Sequence, residues 1–182
     1  MNKKKIWMIG LMAATLILFM GCFDILEIDQ PSTAKVGKKI VAKMELRTDG
    51  PDDNPHHGIV AMKIPNSWEV KKVSMRGDYG RATFEFLPPG VCDSEPGNKL
   101  DYWTRSLERI WSSGDDMKWV VYETKKSYKA PEVAFVDLTF EYIVGEQTGD
   151  FDIDYLISCA ALDFSDPDLY SLSQGHTITV TE

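Results

Sequence analysis

The sequence is poor in the residues and patterns that most often carry chemistry. Three cysteines and three histidines are spread over 182 residues, and it contains no Gly-x-Ser-x-Gly, no His-Glu-x-x-His and no glycine-rich phosphate loop. Those absences remove the readiest readings as a serine hydrolase, a zinc peptidase or a nucleotide-binding enzyme. No basic patch is evident: pairs such as Lys71 with Lys72 and Lys125 with Lys126 read as solvated strand ends, set against a formal net charge of −8. Such a surface repels a phosphate backbone, which excludes nucleic acid as a partner. Beyond residue 21 no stretch approaches the roughly 18 to 20 consecutive apolar residues of a membrane helix. What remains, 43% apolar and 26% charged residues, is the composition of one ordinary globular domain.

The N-terminus is different. Lys3, Lys4 and Lys5 precede an apolar run from Ile6 to Met20, and Gly21 and Cys22 close the segment, the layout of an export signal. A small residue followed by cysteine resembles a bacterial lipoprotein signal, which implies cleavage before Cys22 and a diacylglyceryl group, with palmitate-type acylation, on its thiol. Gly21 fits that pattern, while Phe19 and Met20 stand where its strict form prefers leucine and a small residue. The competing reading is a plain N-terminal membrane anchor with an incidental cysteine. Removal of residues 1–21 leaves 161, and because they carry three lysines and no acid the formal charge moves from −8 to −11. Phe23 occupies the position where aspartate retains many lipoproteins at the inner membrane. Asp24 and Glu27 follow, and they resemble the acidic export tags of Bacteroidota-type surface lipoproteins. The expected location is therefore the outer membrane, lipid-anchored and facing the cell surface. Two cysteines remain, Cys92 and Cys159, in a compartment where disulfides persist. They either form a bridge or leave Cys159 as a small buried hydrophobe.

After a short acidic linker, residues 22–34, the chain alternates apolar and polar residues with period two, broken by glycine, proline, aspartate and asparagine. Ile40, Ala42, Met44 and Leu46 share one face of a strand, and Gly58 to Ile64 forms a second that Pro65 ends. Trp68 and Val70 begin a third whose phase shifts before Val73 and Met75, so a bulge is expected near Lys71 and Lys72. Ala82, Phe84 and Phe86 form the inward face of a fourth, and Lys118 to Thr124 is a fifth. Ala134 to Val144 and Phe151 to Cys159 are expected to pair as a hairpin, and His176 to Glu182 closes the chain. Residues 35–182 thus read as a mainly β domain, a β-sandwich of about eight strands.

One helix interrupts the strands, at about residues 98–113. Leu100, Trp103, Leu107, Ile110 and Trp111 fall on one stripe at helical spacing, which predicts cover for the core. Asn98 suits the N-cap, and Gly114 suits the left-handed position after the last turn. On the other face Tyr102, Arg105 and Arg109 project together, and tyrosine with arginine is a combination enriched in partner contacts. This stripe is the candidate binding surface.

Pro31 with Val36–Gly37 before an alternating strand, the Ile64–Pro65–Asn66–Ser67–Trp68 junction, the Lys118–Trp119 strand after the helix, and Thr148–Gly149–Asp150–Phe151 with Tyr155 together resemble immunoglobulin-like domains of Bacteroidota-type surface lipoproteins. The resemblance implies an immunoglobulin-like sandwich serving adhesion or glycan acquisition, with no catalytic residues and no cofactor. An adhesion or binding module is the first expectation, with an unidentified protein or glycan as ligand and the membrane as partner through the lipid. A carbohydrate-binding accessory protein of a glycan-uptake system and a structural spacer of an envelope assembly are the alternatives.

Metal-like clusters read as structural. Asp49, Asp52, Asp53, His56 and His57 crowd one turn, but adjacent histidines on extended backbone point to opposite sides. Asp150, Asp152 and Asp154 have Tyr155 and Ala161 where a calcium loop wants glycine and glutamate, and read as a strand's polar face. Asp163, Asp166 and Asp168 surround Pro167 in a loop whose use as a calcium site the sequence leaves open. His176, although near Ser171 and Ser173, reads as a surface residue opening the last strand. Carboxylate pairs for glycosidase chemistry are too abundant in so acidic a chain to single one out.

Overall fold

The computed structural model of the protein describes residues 23–48, 52–78, 80–88, 99–130, 133–159 and 170–182. Among them are twelve strands and one helix: β1 (Asp24–Asp29), β2 (Thr33–Lys35), β3 (Lys39–Thr48), β4 (Asp52–His56), β5 (Gly58–Pro65), β6 (Glu69–Gly77), β7 (Gly80–Leu87), α1 (Lys99–Ile110), β8 (Met117–Thr124), β9 (Tyr128–Ala130), β10 (Ala134–Ile143), β11 (Gly149–Cys159) and β12 (Tyr170–Thr181). The fold is mainly β with a single helix, as the alternation predicts, but the strands exceed eight. The additional four are short. β4 and β9 form a separate two-stranded ribbon, while β1 and β2 lie at the ends of the main sheet.

The segment expected to be a linker, residues 22–34, is therefore largely part of the sheet. β1 runs antiparallel to β3, with Asp24 opposite Arg47 and Asp29 opposite Lys43. Its Ile25 and Ile28 pack against the core, and Arg47 donates to Asp24 at 2.5 Å. Apolar side chains spaced three apart on a bulged strand hide the period of two that would have revealed it.

Ten strands follow the order β1-β3-β10-β6-β7-β8-β5-β11-β12-β2 and curl into two facing layers. The front layer comprises β1, β3, β10, β6 and the first half of β7; the back layer comprises the second half of β7 with β8, β5, β11, β12 and β2. β7 crosses between them: Gly80 to Thr83 pair with β6, whereas Phe84 to Leu87 pair with β8. The expected inward face holds for Ala82 and Phe84, which lie against the core between the layers. Phe86, beside Tyr122 on the same side, is 46% exposed, and Leu87 is buried on the opposite face, under α1. Where β6 meets β10, Gly77 passes so close that a Cβ there would stand 2.8 Å from the Val136 Cα. The bulge expected in β6 is present, since Tyr142 faces Val70 and Glu141 faces Lys72, leaving Lys71 as the extra residue.

β10 and β11 do not form the expected hairpin. β10 pairs with β3 and β6 in the front layer, and β11 pairs with β5 and β12 in the back. Their inward faces instead meet across the core, where Tyr142 donates to Tyr155 at 3.4 Å and Tyr155 donates to Gln30 at 2.8 Å. Phe140 is 1% exposed and its ring lies 5.4 Å from that of Tyr155.

The helix covers the outside of the back layer. Trp103 and Leu107 are buried with Ile59, Ala61, Leu87, Trp119, Val121 and Leu156, as the stripe predicts. Ile110 departs from it at 42% exposed. Trp111 is half-buried, and its carbonyl accepts the Trp119 indole N–H at 2.7 Å. Gly114 has a φ of +78°, the left-handed position expected after the last turn. Thus the back layer is buried on both faces where α1 covers it, while the front layer keeps one face in solvent.

Candidate binding face

Side chains alternate across a strand, so the polar half of each front strand points outward. Register then decides what those side chains meet. Glu27 lies opposite Glu45, Glu45 opposite Asp137, Asp137 opposite Arg76, and Arg76 opposite Arg81. One row of five charged residues thus crosses five strands, about 19 Å at the usual strand spacing. It is segregated: three carboxylates on β1, β3 and β10, and two guanidinium groups on β6 and β7. The row runs along a groove of about 710 Å³ that Asp29, Lys43, Lys72, Ser74, Thr83 and Thr139 also line.

The same face pairs its charges on either side of this row. Toward one end, Glu141 accepts from Lys39 at 2.9 Å and lies 3.8 Å from Lys72; the Lys39 hydrogen bond holds the Glu141 carboxyl below its ordinary range. Toward the other end, Arg47 is paired with Asp24. In the row itself, Glu27, Glu45, Asp137, Arg76 and Arg81 make no ion pair or side-chain hydrogen bond within the described residues. Like charges directly opposite each other on a sheet repel. Three of the four neighbouring pairs in the row are of that kind.

Several other polar groups among the described residues are used internally. Asp150 and Asp152 accept from Thr179 and Thr177, each at 2.7 Å, the strand-face role expected of them. Asp154 also keeps the face opposite Ile153 and Tyr155, but it is buried there, 2% exposed, ion-paired with Lys63 and accepting the Gly175 N–H at 2.9 Å. His57 Nδ1 donates to the Thr124 carbonyl at 2.7 Å and lies 3.8 Å from the buried Glu123 carboxylate. His176 is half-buried, not the plain surface residue expected, with its Nε2 2.7 Å from Ser173 Oγ and its ring 5.7 Å from that of Tyr155. Burial raises the hydroxyl pKa of Tyr142 and of Tyr155. Among the described residues, no three His, Cys, Asp or Glu side chains are grouped to hold a metal ion.

Several sequence candidates lie outside the described residues: Cys22, Cys92, Asp49 and the loop carrying Asp163, Asp166 and Asp168. Cys159 ends β11 and Tyr102 lies in α1, but the side chains of both fall outside as well. Arg105 and Arg109 are exposed on the helix, on a different side of the molecule from the charged groove. The groove itself is not legible in the sequence. Each of its residues reads there as an ordinary polar strand position, and only the cross-strand register assembles the row.

Residues 23–182 match the family described as "Domain of unknown function (DUF4961)". No curated protein matches the sequence. Solved structures with a related outline include the Streptococcus suis adhesion Fhb bound to the disaccharide receptor Gb2, at 15% identity over 84% of this chain and 86% of that one, with a TM-score of 0.48. AvmM, which catalyses macrocyclization in alchivemycin A biosynthesis, aligns at 13% identity over 87% and 90% of the two chains, with a TM-score of 0.45. A 35 kDa C-terminal fragment of the Streptococcus agalactiae major pilin GBS80 aligns at 7% identity over 86% of this chain and 56% of that one, with a TM-score of 0.48. Likenesses this distant leave function to be argued from the residues of this chain.

Proposed function

The chain belongs to the DUF4961 family, and we propose that this member is a non-catalytic binding module, held by lipid on Cys22 to the outer membrane and facing the cell surface. The observation that supports binding is the unpaired charged row of the front layer. Three like-charge cross-strand pairs at about 0.2–1 kcal/mol each work against folding, and exchanging one carboxylate with one arginine across β10 and β6 would relieve much of that cost. A ligand that presents donors or positive charge to Glu27, Glu45 and Asp137, and acceptors or negative charge to Arg76 and Arg81, relieves it instead in the complex. A hydroxyl-rich glycan meets both demands, which favours the carbohydrate-binding form of this proposal. A second reading places a protein partner on the exposed Arg105 and Arg109 of α1.

Two experiments test the two halves. Replacing Cys22 with serine is expected to leave an uncleaved precursor that no longer takes up a fatty-acid probe, and undiminished labelling would refute the anchor. Applied to a glycan array, the protein is expected to bind hydroxyl-rich ligands, and the Asp137→Ala/Arg76→Ala variant to lose that binding at least tenfold. Glycan binding untouched by the variant would remove the groove from the site.

A further inference from the structure

We propose that the end of the front layer next to Cys22 is a membrane-contact surface, with Phe135, Val133 and Leu26 resting in the interfacial region of the bilayer. The proposal rests on the reading that the N-terminus is membrane-held, and it follows from where the chain enters the fold. Phe23 adjoins Cys22, so their Cα atoms are only about 3.8 Å apart. Phe23 is already fixed, because its carbonyl accepts from Ser171 at 2.5 Å, and Asp24 is paired with Arg47. No flexible spacer therefore separates Cys22 from the domain. Whatever holds Cys22, an attached lipid or the uncut apolar run from Ile6 to Met20, brings this end of the sandwich to the bilayer.

The surface at that end suits the position. Leu26, Val133 and Phe135 are 46%, 54% and 51% exposed, three of the six large apolar side chains left exposed among the described residues. Phe135 faces Arg47, which faces Asp24, placing the ring two strands, about 10 Å, from the point of entry. Val133 lies two residues nearer the end of the layer, and Leu26 is the extra residue of the β1 bulge. Half-exposed leucine, valine and phenylalanine beside a membrane anchor gain burial in the acyl boundary that water denies them. The charged groove then stands directly above the headgroups, so its ligand must approach along the membrane surface.

The test uses the full chain in vesicles of phosphatidylethanolamine and phosphatidylglycerol, with p-benzoylphenylalanine replacing Phe135, Leu26 or, as a control on the same outer face, Lys72. Irradiation is expected to give phospholipid adducts at positions 135 and 26, at least tenfold above position 72. A vesicle-bound chain that gives no more lipid adduct at 135 and 26 than at 72 overturns the proposal, as does crosslinking of both positions to protein alone. A fatty-acid probe run in parallel reports the anchor separately. Adducts at position 135 without labelling of Cys22 refute lipidation and uphold the contact surface, whereas labelling without adducts does the reverse.

Discussion

Glu45 stands in the row between Glu27 on β1 and Asp137 on β10, so Glu45→Lys converts two repulsive cross-strand pairs into two attractive ones. Each pair is worth roughly 0.2–1 kcal/mol, and the outward side chains are screened by water, which holds the combined gain to about 1 kcal/mol. For a domain of this size, about 1 kcal/mol raises the melting temperature by roughly 2–4 °C. Thermal unfolding followed by circular dichroism measures that shift directly. The gain should be largest near 0.01 M salt and nearly vanish at 1 M, where the Debye length falls from about 30 Å to about 3 Å. The same substitution should abolish ligand binding, since it places a cation at the centre of the carboxylate half. A melting temperature unchanged or lowered at low salt would refute the reasoning, because the row would then carry no repulsion for a ligand to relieve.

Phe140→Ala removes a side chain that is 1% exposed, stacked on Tyr142 and tilted against Tyr155; urea unfolding should register a loss of about 3–5 kcal/mol. Trp103→Ala should cost a similar amount, because the indole is 3% exposed between α1 and the back layer, whereas alanine at Tyr102, Arg105 and Arg109 together should leave the urea midpoint almost unchanged. Burial raises the hydroxyl pKa of Tyr142 and Tyr155 in the folded state above the ordinary 10.0, so their neutral forms contribute stability that is fully present below pH 10 and lost as pH rises beyond it. Absorbance at 295 nm should therefore show two tyrosines that ionise only on alkaline unfolding, and the Tyr142→Phe/Tyr155→Phe protein should unfold at higher pH than the parent.

The strands that bury one face were legible because period-two alternation is a direct imprint of that burial, as in Ile40 to Leu46. The β6 bulge was legible for the same reason, since an extra residue at Lys71 shifts the phase of everything after it. Gly114 carried its own conformational signature. Pairing was not legible. Ala134 to Val144 and Phe151 to Cys159 are neighbours in sequence with inward apolar faces, and those faces fit a sandwich core as well as a hairpin; periodicity names a buried face without naming a neighbour. Phe86 shares a side with Ala82 and Phe84 but is 46% exposed, because periodicity names a face without telling how far along the strand the core extends. β1 was hidden by its bulge at Leu26. The charged row is the extreme case: Glu27, Glu45, Asp137, Arg76 and Arg81 are spread over 111 positions from first to last, and nothing short of the register of five strands reveals that they share a line.

The measurement that bears most directly on the groove as the ligand site is a side-by-side titration of one ligand identified on the glycan array. Three proteins are compared: the parent, Asp137→Ala/Arg76→Ala in the groove, and Tyr102→Ala/Arg105→Ala/Arg109→Ala on the helix. The expected result is a dissociation constant raised at least tenfold by the groove substitutions and unchanged by the helix substitutions, with all three proteins folded by circular dichroism. Unchanged affinity in the groove variant, together with loss of binding in the helix variant, would contradict the assignment and move the site to α1.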